Sequence, residues 1–233
     1  MQSMEQLGQQ VVEKMIQSGR PISRYVSSQA IPKPFHGRGP VRLIILGQDP
    51  TVKNAESRKH VCTVLNLDKS GNLRGYIDRI CKTIGISAAD NLYATNVFKN
   101  FFTQPPTTIK AECDIFHEAG SFWMPVLRDE LATFPGVPIL SLGEPLLNVL
   151  IEGAASRKVR DYWGFTPTWK MGQCNPFRHV AVDSTVLGRP FFPFPHQPSL
   201  QKQFYRERLD AYLAYMRQTL EIGIREAETA KGS

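Results

Sequence analysis

The stretch Val41-Arg42-Leu43-Ile44-Ile45-Leu46-Gly47-Gln48-Asp49-Pro50 decides the fold. From Val41 to Leu46 it is a nearly continuous apolar run, the pattern of a strand buried on both faces of a sheet. Gly47 frees the backbone to turn sharply, and an amide, a carboxylate and a proline follow at once. A buried strand that delivers a carboxylate at its C-terminal end is where α/β sheets place ligands and chemistry. Taken alone, the same residues also fit a plain strand and turn in which Asp49 caps a helix. The choice between the two rests on residues far along the chain.

Working outward, three further apolar runs have strand character: residues 91–98, with Asn96 near the end; residues 137–142, ending at Gly143; and residues 179–182. Helical spacing marks residues 4–18, stopped by Gly19 and Pro21, and residues 73–84, stopped by Gly85. Further helices are expected from about residue 108, kinked or split by Pro125, then over 146–151 and 199–222. The segments 30–40, 51–60, 101–107 and 188–198 are read as loops, the last for its four prolines. Residues 61–67 suit a short strand or the floor of a pocket. The tail from 223 to 233 is polar, with its last three residues expected to be disordered. Alternating helices and strands predict an α/β fold: three layers, α/β/α, around a central, mostly parallel four-stranded sheet. Neither a linker nor a repeat divides the chain, so one domain is expected over residues 1–233, with its core at about 41–215.

The 233 residues carry a formal charge of +7 and are 42% hydrophobic and 21% charged; the isoelectric point is about 9.3. This is an ordinary globular composition with a bias toward polyanionic partners. Cys62, Cys81, Cys113 and Cys174 form no CxxC pair, which argues against a zinc ribbon or a local cluster motif; no metal or cofactor is expected. Sparse cysteines and a start without a basic, apolar leader suggest reduced thiols and a cytoplasmic location, with the nucleoid as the site of action in a bacterium. The longest apolar candidate, residues 137–151, is broken by Gly143, Glu144 and Asn148, so no membrane span is expected.

If the strands are parallel, their C-terminal ends bring Gln48 and Asp49, Asn96, Gly143, and the later run Phe194-Pro195-His196-Gln197-Pro198-Ser199-Leu200 to one rim. Each residue has an ordinary explanation by itself. His196 suits a structural histidine, Asn96 a strand-end turn, Leu200 a helix core, and the cations that follow a solvated face. Their joint order favours a site.

These residues resemble the uracil-DNA glycosylase superfamily. Gly47-Gln48-Asp49-Pro50 is similar to its first motif, His196-Gln197-Pro198-Ser199-Leu200 to its second, and Ala94-Thr95-Asn96-Val97 to the strand end that supplies its base-reading Asn. The resemblance spans about residues 41 to 215. It implies Asp49 as the carboxylate that stabilises the sugar cation and orients water, and His196 as the donor to the departing base. It further implies Asn96, with Gln48 and Thr51, around a flipped base. Ser199 and the wedge Leu200 would act on the DNA, with Lys202, Arg206 and Arg208 toward phosphates. The implied protein is a monomer that acts on DNA containing uracil or a damaged base.

The chain departs from the pattern at four places. Thr51 stands where the best-known members carry Tyr, which leaves room beside the base 5-position. Residues 60–64 lack the Phe that stacks on uracil, with Phe98 and Phe101 as substitutes to be considered. Glu144 replaces a phosphate-touching Ser, and Gln197 interrupts the His-Pro-Ser spacing. These departures keep open a DNA-binding protein on the same scaffold with weak or lost catalysis, and a small-molecule enzyme using the same rim.

Overall fold

In a computed structural model the chain is described over residues 4–52, 54–109, 114–153 and 157–231. Five strands form one sheet: β1 (Phe35–His36), β2 (Leu43–Gly47), β3 (Leu92–Asn96), β4 (Ile139–Leu142) and β5 (Phe191–Phe194), in the order β1-β3-β2-β4-β5. The helices are α1 (Met4–Gln17), α2 (Ala55–Arg58), α3 (Asn72–Thr83), α4 (Ala88–Asn91), α5 (Ile115–Ala132), α6 (Glu144–Leu150), α7 (Val159–Tyr162) and α8 (Gln203–Lys231). β2 to β5 run parallel to one another, and β1 is antiparallel to β3.

The strand order dictates the layers. The step from β2 to β3 moves one way along the sheet, and the step from β3 to β4 moves back past β2. Right-handed crossovers therefore put α3 and α5 on opposite faces. The packing agrees: α5 meets α1 and α6, while α3 meets α4 and α8. The central strands are buried along their whole length because both faces are covered. This is the three-layer α/β fold read from the sequence. Because β2 connects to one face and both its neighbours to the other, the crevice at its C-terminal end is the switch point of the sheet.

The sheet differs from expectation in two strands. The extra strand β1 lies in the proline- and glycine-rich lead-in and pairs Phe35 with Ala94 and His36 with Tyr93. A two-residue strand has too few positions to show periodicity. The last strand is Phe191–Phe194 rather than residues 179–182. Of the latter, Val180 makes a single antiparallel bridge to Phe191. Pro193 had assigned this run to a loop, yet β5 is at the sheet edge, where a missing N–H leaves no ladder bond unmade.

Other boundaries also moved. Residues 51–60 contain the short helix α2, capped by the Asn54 side chain. Residues 61–67 hold a 3-10 turn, Val64–Asn66, instead of a strand. α5 begins at Ile115, capped by Asp114, and continues unbroken through Pro125. Pro125 is exposed, so the carbonyl it leaves unpaired one turn earlier faces solvent. The helix expected from residue 199 opens as a 3-10 turn, Gln197–Gln201, before α8 begins. α8 then runs to Lys231, through most of the polar tail.

Candidate active site

Register places the site. Leu46 pairs with Thr95 and with Ser141, and Ser141 with Pro193, in one row across the sheet. In the next row Gly47 pairs with Asn96, and Leu142 with Phe194. The residues just beyond that row (Gln48-Asp49, Val97, Gly143 and Pro195-His196) leave the sheet at the same rim.

After β2 the chain makes a tight turn around Asp49. The Thr51 N–H donates to Asp49 Oδ1 at 2.8 Å, and Gln48 Nε2 donates to Oδ2 at 2.7 Å. Thr51 in turn accepts the Phe102 N–H on its hydroxyl at 2.7 Å, so its side chain anchors the turn to the neighbouring loop. Val97 and Phe98 donate to the carbonyls of Gly47 and Gln48, which locks the two strand ends together. Burial pushes the Asp49 carboxyl above its usual value. That effect outweighs the opposing hydrogen bonds from Thr51 and Gln48 and the nearby charge of Arg58.

Arg58 is a part of the site that sequence reasoning missed. It is buried, donates from Nε to the Val52 carbonyl at 2.7 Å, and from Nη1 to the carbonyls of Phe102 and Thr103. It thereby clamps the turn after Asp49 to the loop after β3. In sequence it is one cation in a polar segment, and no local signal sets it apart from a solvated one.

Asn96 ends β3 only 1% exposed, and neither its amide nitrogen nor its amide oxygen has a hydrogen-bond partner. A Cβ on Gly47 would stand 2.3 Å from Asn96 Oδ1 and 2.9 Å from Leu65 Cδ2. Only glycine at position 47 allows the amide and the leucine to close in from two sides. Leu65 holds a left-handed backbone (φ 59°), followed by Asn66 (φ 50°), a conformation that is uncommon for a bulky residue and clusters at functional sites. Leu65 is thus the apolar side chain beside the Asn96 amide. Phe98 and Phe101 are fully buried, and Phe98 packs edge-on against Phe102.

Beneath Asn96 lies a buried ion pair absent from the sequence reading. Lys99 Nζ is 2.5 Å from Glu130 Oε2 and 2.6 Å from Thr95 Oγ1, and it donates to the Asn96 carbonyl at 3.2 Å. Tyr93 donates to the other Glu130 oxygen at 2.6 Å. The end of β3 around Asn96 is thereby braced from below.

On the other side of β2, Gly143 has a φ of 101°, and a Cβ there would come within 3.8 Å of His196 Cβ. His196 caps the 3-10 turn, accepting the Ser199 N–H on its carbonyl at 2.8 Å. The His196 residue is exposed, and partial desolvation of its ring lowers the imidazole pKa below its usual value; the neutral ring has an N–H to donate. Ser199 and Leu200 are half-buried, with Leu200 packed on the core. Lys202 and Arg206 are exposed. Arg208 is committed elsewhere: its Nε donates to the Trp163 carbonyl at 2.7 Å, and its guanidinium stacks 4.4 Å from the Phe177 ring centre.

Cys62 and Cys174 are exposed free thiols, and burial pushes the Cys81 thiol up to about 12; Cys113 lies outside the described residues. Among the described residues no helix is long and apolar enough to cross a membrane. The rim thus brings a desolvated carboxylate, an unpaired amide and an imidazole to the C-terminal ends of β2, β3 and β5. A scan of protein-family models and a search of curated proteins give no match for this chain.

Proposed function

We propose that this chain is a DNA glycosylase of the uracil-DNA glycosylase superfamily, a cytoplasmic monomer that hydrolyses the N-glycosidic bond of uracil or a related damaged or 5-modified base. One observation carries the reading: the fully buried Asn96 amide, with donor and acceptor both unpaired, at the same rim as Asp49 and His196. An unpaired buried amide costs about 1–3 kcal/mol, and such a group calls for an explanation. A base edge with one acceptor and one donor supplies both missing partners.

The chemistry fits the groups. As the bond from sugar carbon to base nitrogen breaks, positive charge grows on the sugar and negative charge on the base. Ionised Asp49 stabilises the cation and takes the proton of the water that attacks it. The electron pair leaves with the base, and a neutral His196 N–H donates to the base oxygen where negative charge collects. The departed anion then takes a proton from solvent. Thr51, anchored to Phe102, and Leu65 would bound the base in place of larger aromatic groups, so 5-substituted bases are included among the substrates. Leu65 and Glu144 are also the observations that favour the second reading, a DNA-binding protein with lost catalysis.

The test is excision from an oligonucleotide carrying one uracil, single-stranded or opposite G or A, with Asp49→Asn alongside. Alkali-sensitive cleavage that disappears in the variant is expected. Tight binding to uracil-containing DNA without product at any enzyme concentration would replace the glycosylase with the binding protein. Absence of DNA affinity at low salt would remove both.

A further inference from the structure

A groove of about 440 Å³ opens next to the rim. Its walls include Glu144, one residue past Gly143, and Lys202, at the end of the 3-10 turn that His196 begins. It therefore borders the rim on the side of Gly143 and the turn that follows His196. Across it stand Arg160, Lys170, Trp169 and Phe204.

Two chemistries alternate along these walls. The aromatic part is built rather than incidental: Trp169 meets Phe204 edge-on with ring centres 5.4 Å apart, and Phe165 meets the same ring at 5.2 Å. Phe204 is buried, so it props the partly exposed Trp169 from below. The charged part is positive, with four cations to one carboxylate in the lining. Lys170 lies 5.9 Å from the Trp169 ring centre, on an exposed stem. Arg160 lies 4.4 Å over Phe165, with its Nε 3.9 Å from Asp161 Oδ1.

We propose that this groove holds a nucleotide of the same DNA strand flanking the target base, unpaired, with its base stacked on Trp169 and its phosphate between Lys170 and Lys202. Alternating aromatic rings and cations are how proteins track single strands: the rings take any base face, and the cations take the backbone. A groove that starts at the catalytic rim, and whose volume is that of a small-ligand site, suits one nucleotide next to the flipped one. Glu144, faced by these cations, leaves the lining positive and so does not bar a phosphate. The inference rests on the glycosylase reading for the identity of the strand, and it makes single-stranded DNA the preferred form.

The structure supplies its own reporter. Trp123 and Trp163 are fully buried, which leaves Trp169 as the tryptophan a ligand can reach. Single-stranded oligo(dT), which carries no uracil, is titrated into the full chain while tryptophan emission is followed. Saturable quenching is expected. Lys170→Glu and Lys202→Glu, both at exposed positions that leave the fold alone, are expected to weaken binding about ten-fold or more and to flatten its salt dependence. Trp169→Leu is expected to weaken binding by a similar factor in an anisotropy assay with labelled oligo(dT). Absence of quenching, affinity unchanged in the two charge reversals, or equal affinity for dTMP and oligo(dT) would each overturn the proposal. Uracil excision measured on the same proteins separates the two readings. Excision without quenching removes the groove alone, and quenching without excision removes the glycosylase while the strand site stands.

Discussion

The ion pair beneath Asn96 offers the most quantitative test. Lys99 and Glu130 side chains are 4% and 3% exposed and 2.5 Å apart, and Lys99 also holds the Thr95 hydroxyl and the Asn96 carbonyl. Glu130→Gln keeps the volume and one acceptor for Tyr93 but leaves the Lys99 ammonium buried without a counter-charge. Breaking such a pair from one side destabilises by about 3–5 kcal/mol. At about 2–4 °C per kcal/mol for a chain of this size, the midpoint should fall by roughly 6–20 °C. Thermal unfolding followed by far-UV circular dichroism at neutral pH measures it. The control is Lys99→Met with Glu130→Leu, which removes both charges at similar volume. Replacing a whole buried pair is often neutral or stabilising, so the double variant should melt well above Glu130→Gln, short only of the roughly 1 kcal/mol lost at the Tyr93 hydroxyl. A Glu130→Gln midpoint within about 2 °C of the parent, or a double variant no more stable than the single one, would refute the claim that this pair braces the strand end.

Asn96→Ala is expected to leave thermal stability unchanged or higher, because it deletes two unpaired polar atoms, while excision is lost; a marked drop in melting temperature would show that the amide is paired in solution. Gly47→Ala would drive a methyl group to 2.3 Å from Asn96 Oδ1, costing about 1–3 kcal/mol of overpacking and most of the excision rate, measured by denaturation and by the oligonucleotide assay. Asp49 has a folded pKa raised above its ordinary 3.8, so its contribution to stability is full below pH 3.8 and is lost as pH rises through the folded value. Asp49→Asn, which never ionises, should therefore melt above the parent at neutral pH, with the difference closing below pH 4; a variant less stable than the parent at neutral pH would contradict the desolvated carboxylate. By the same shift, the acid limb of kcat/KM should have its midpoint above 3.8 and should reflect ionisation of Asp49.

The rim was legible because its residues sit at the ends of strands whose own signal is strong. The strands inside residues 41–46, 91–98 and 137–142 are buried on both faces, and their apolar runs announce them whatever the loops do. Gln48, Asn96 and Gly143 then fall in place by counting. β5 escaped because a proline inside a short aromatic run reads as a loop, and only the sheet order shows that this strand is an edge. Its loss did not hide His196, since the histidine follows the run whichever way the run folds. Arg58, Leu65 and the Lys99–Glu130 pair were invisible for another reason. Their roles depend on partners 31 to 45 residues away, or on a left-handed backbone that no local pattern predicts. The groove combines both cases: its aromatic residues were noticed as composition, while its shape needs α8 beside the 165–172 segment.

The distribution of unfavourable features across the molecule is itself an argument for where function lies. Asp49 is desolvated against the pull of its hydrogen bonds, Asn96 is buried with nothing to bind, His196 has its charged form disfavoured, and Leu65 and Asn66 hold left-handed backbone. A fold selected for stability alone would remove each of these with a single substitution. They are not scattered: Asp49, Asn96 and Leu65 adjoin Gly47, and His196 adjoins Gly143 across the neighbouring strand. The surrounding structure is correspondingly over-determined, with Arg58 clamping the loop above and Lys99 and Glu130 bracing the strand below. Strain concentrated at one rim and rigidity concentrated around it is the pattern of a preorganised site. A ligand that pairs the Asn96 amide, hydrogen-bonds the neutral imidazole and brings positive charge toward Asp49 relieves three of the four at once. On the proposed glycosylase reading, a base leaving a deoxyribose would do all three, and most strongly at the moment the bond breaks, which is the condition for catalysis rather than mere binding.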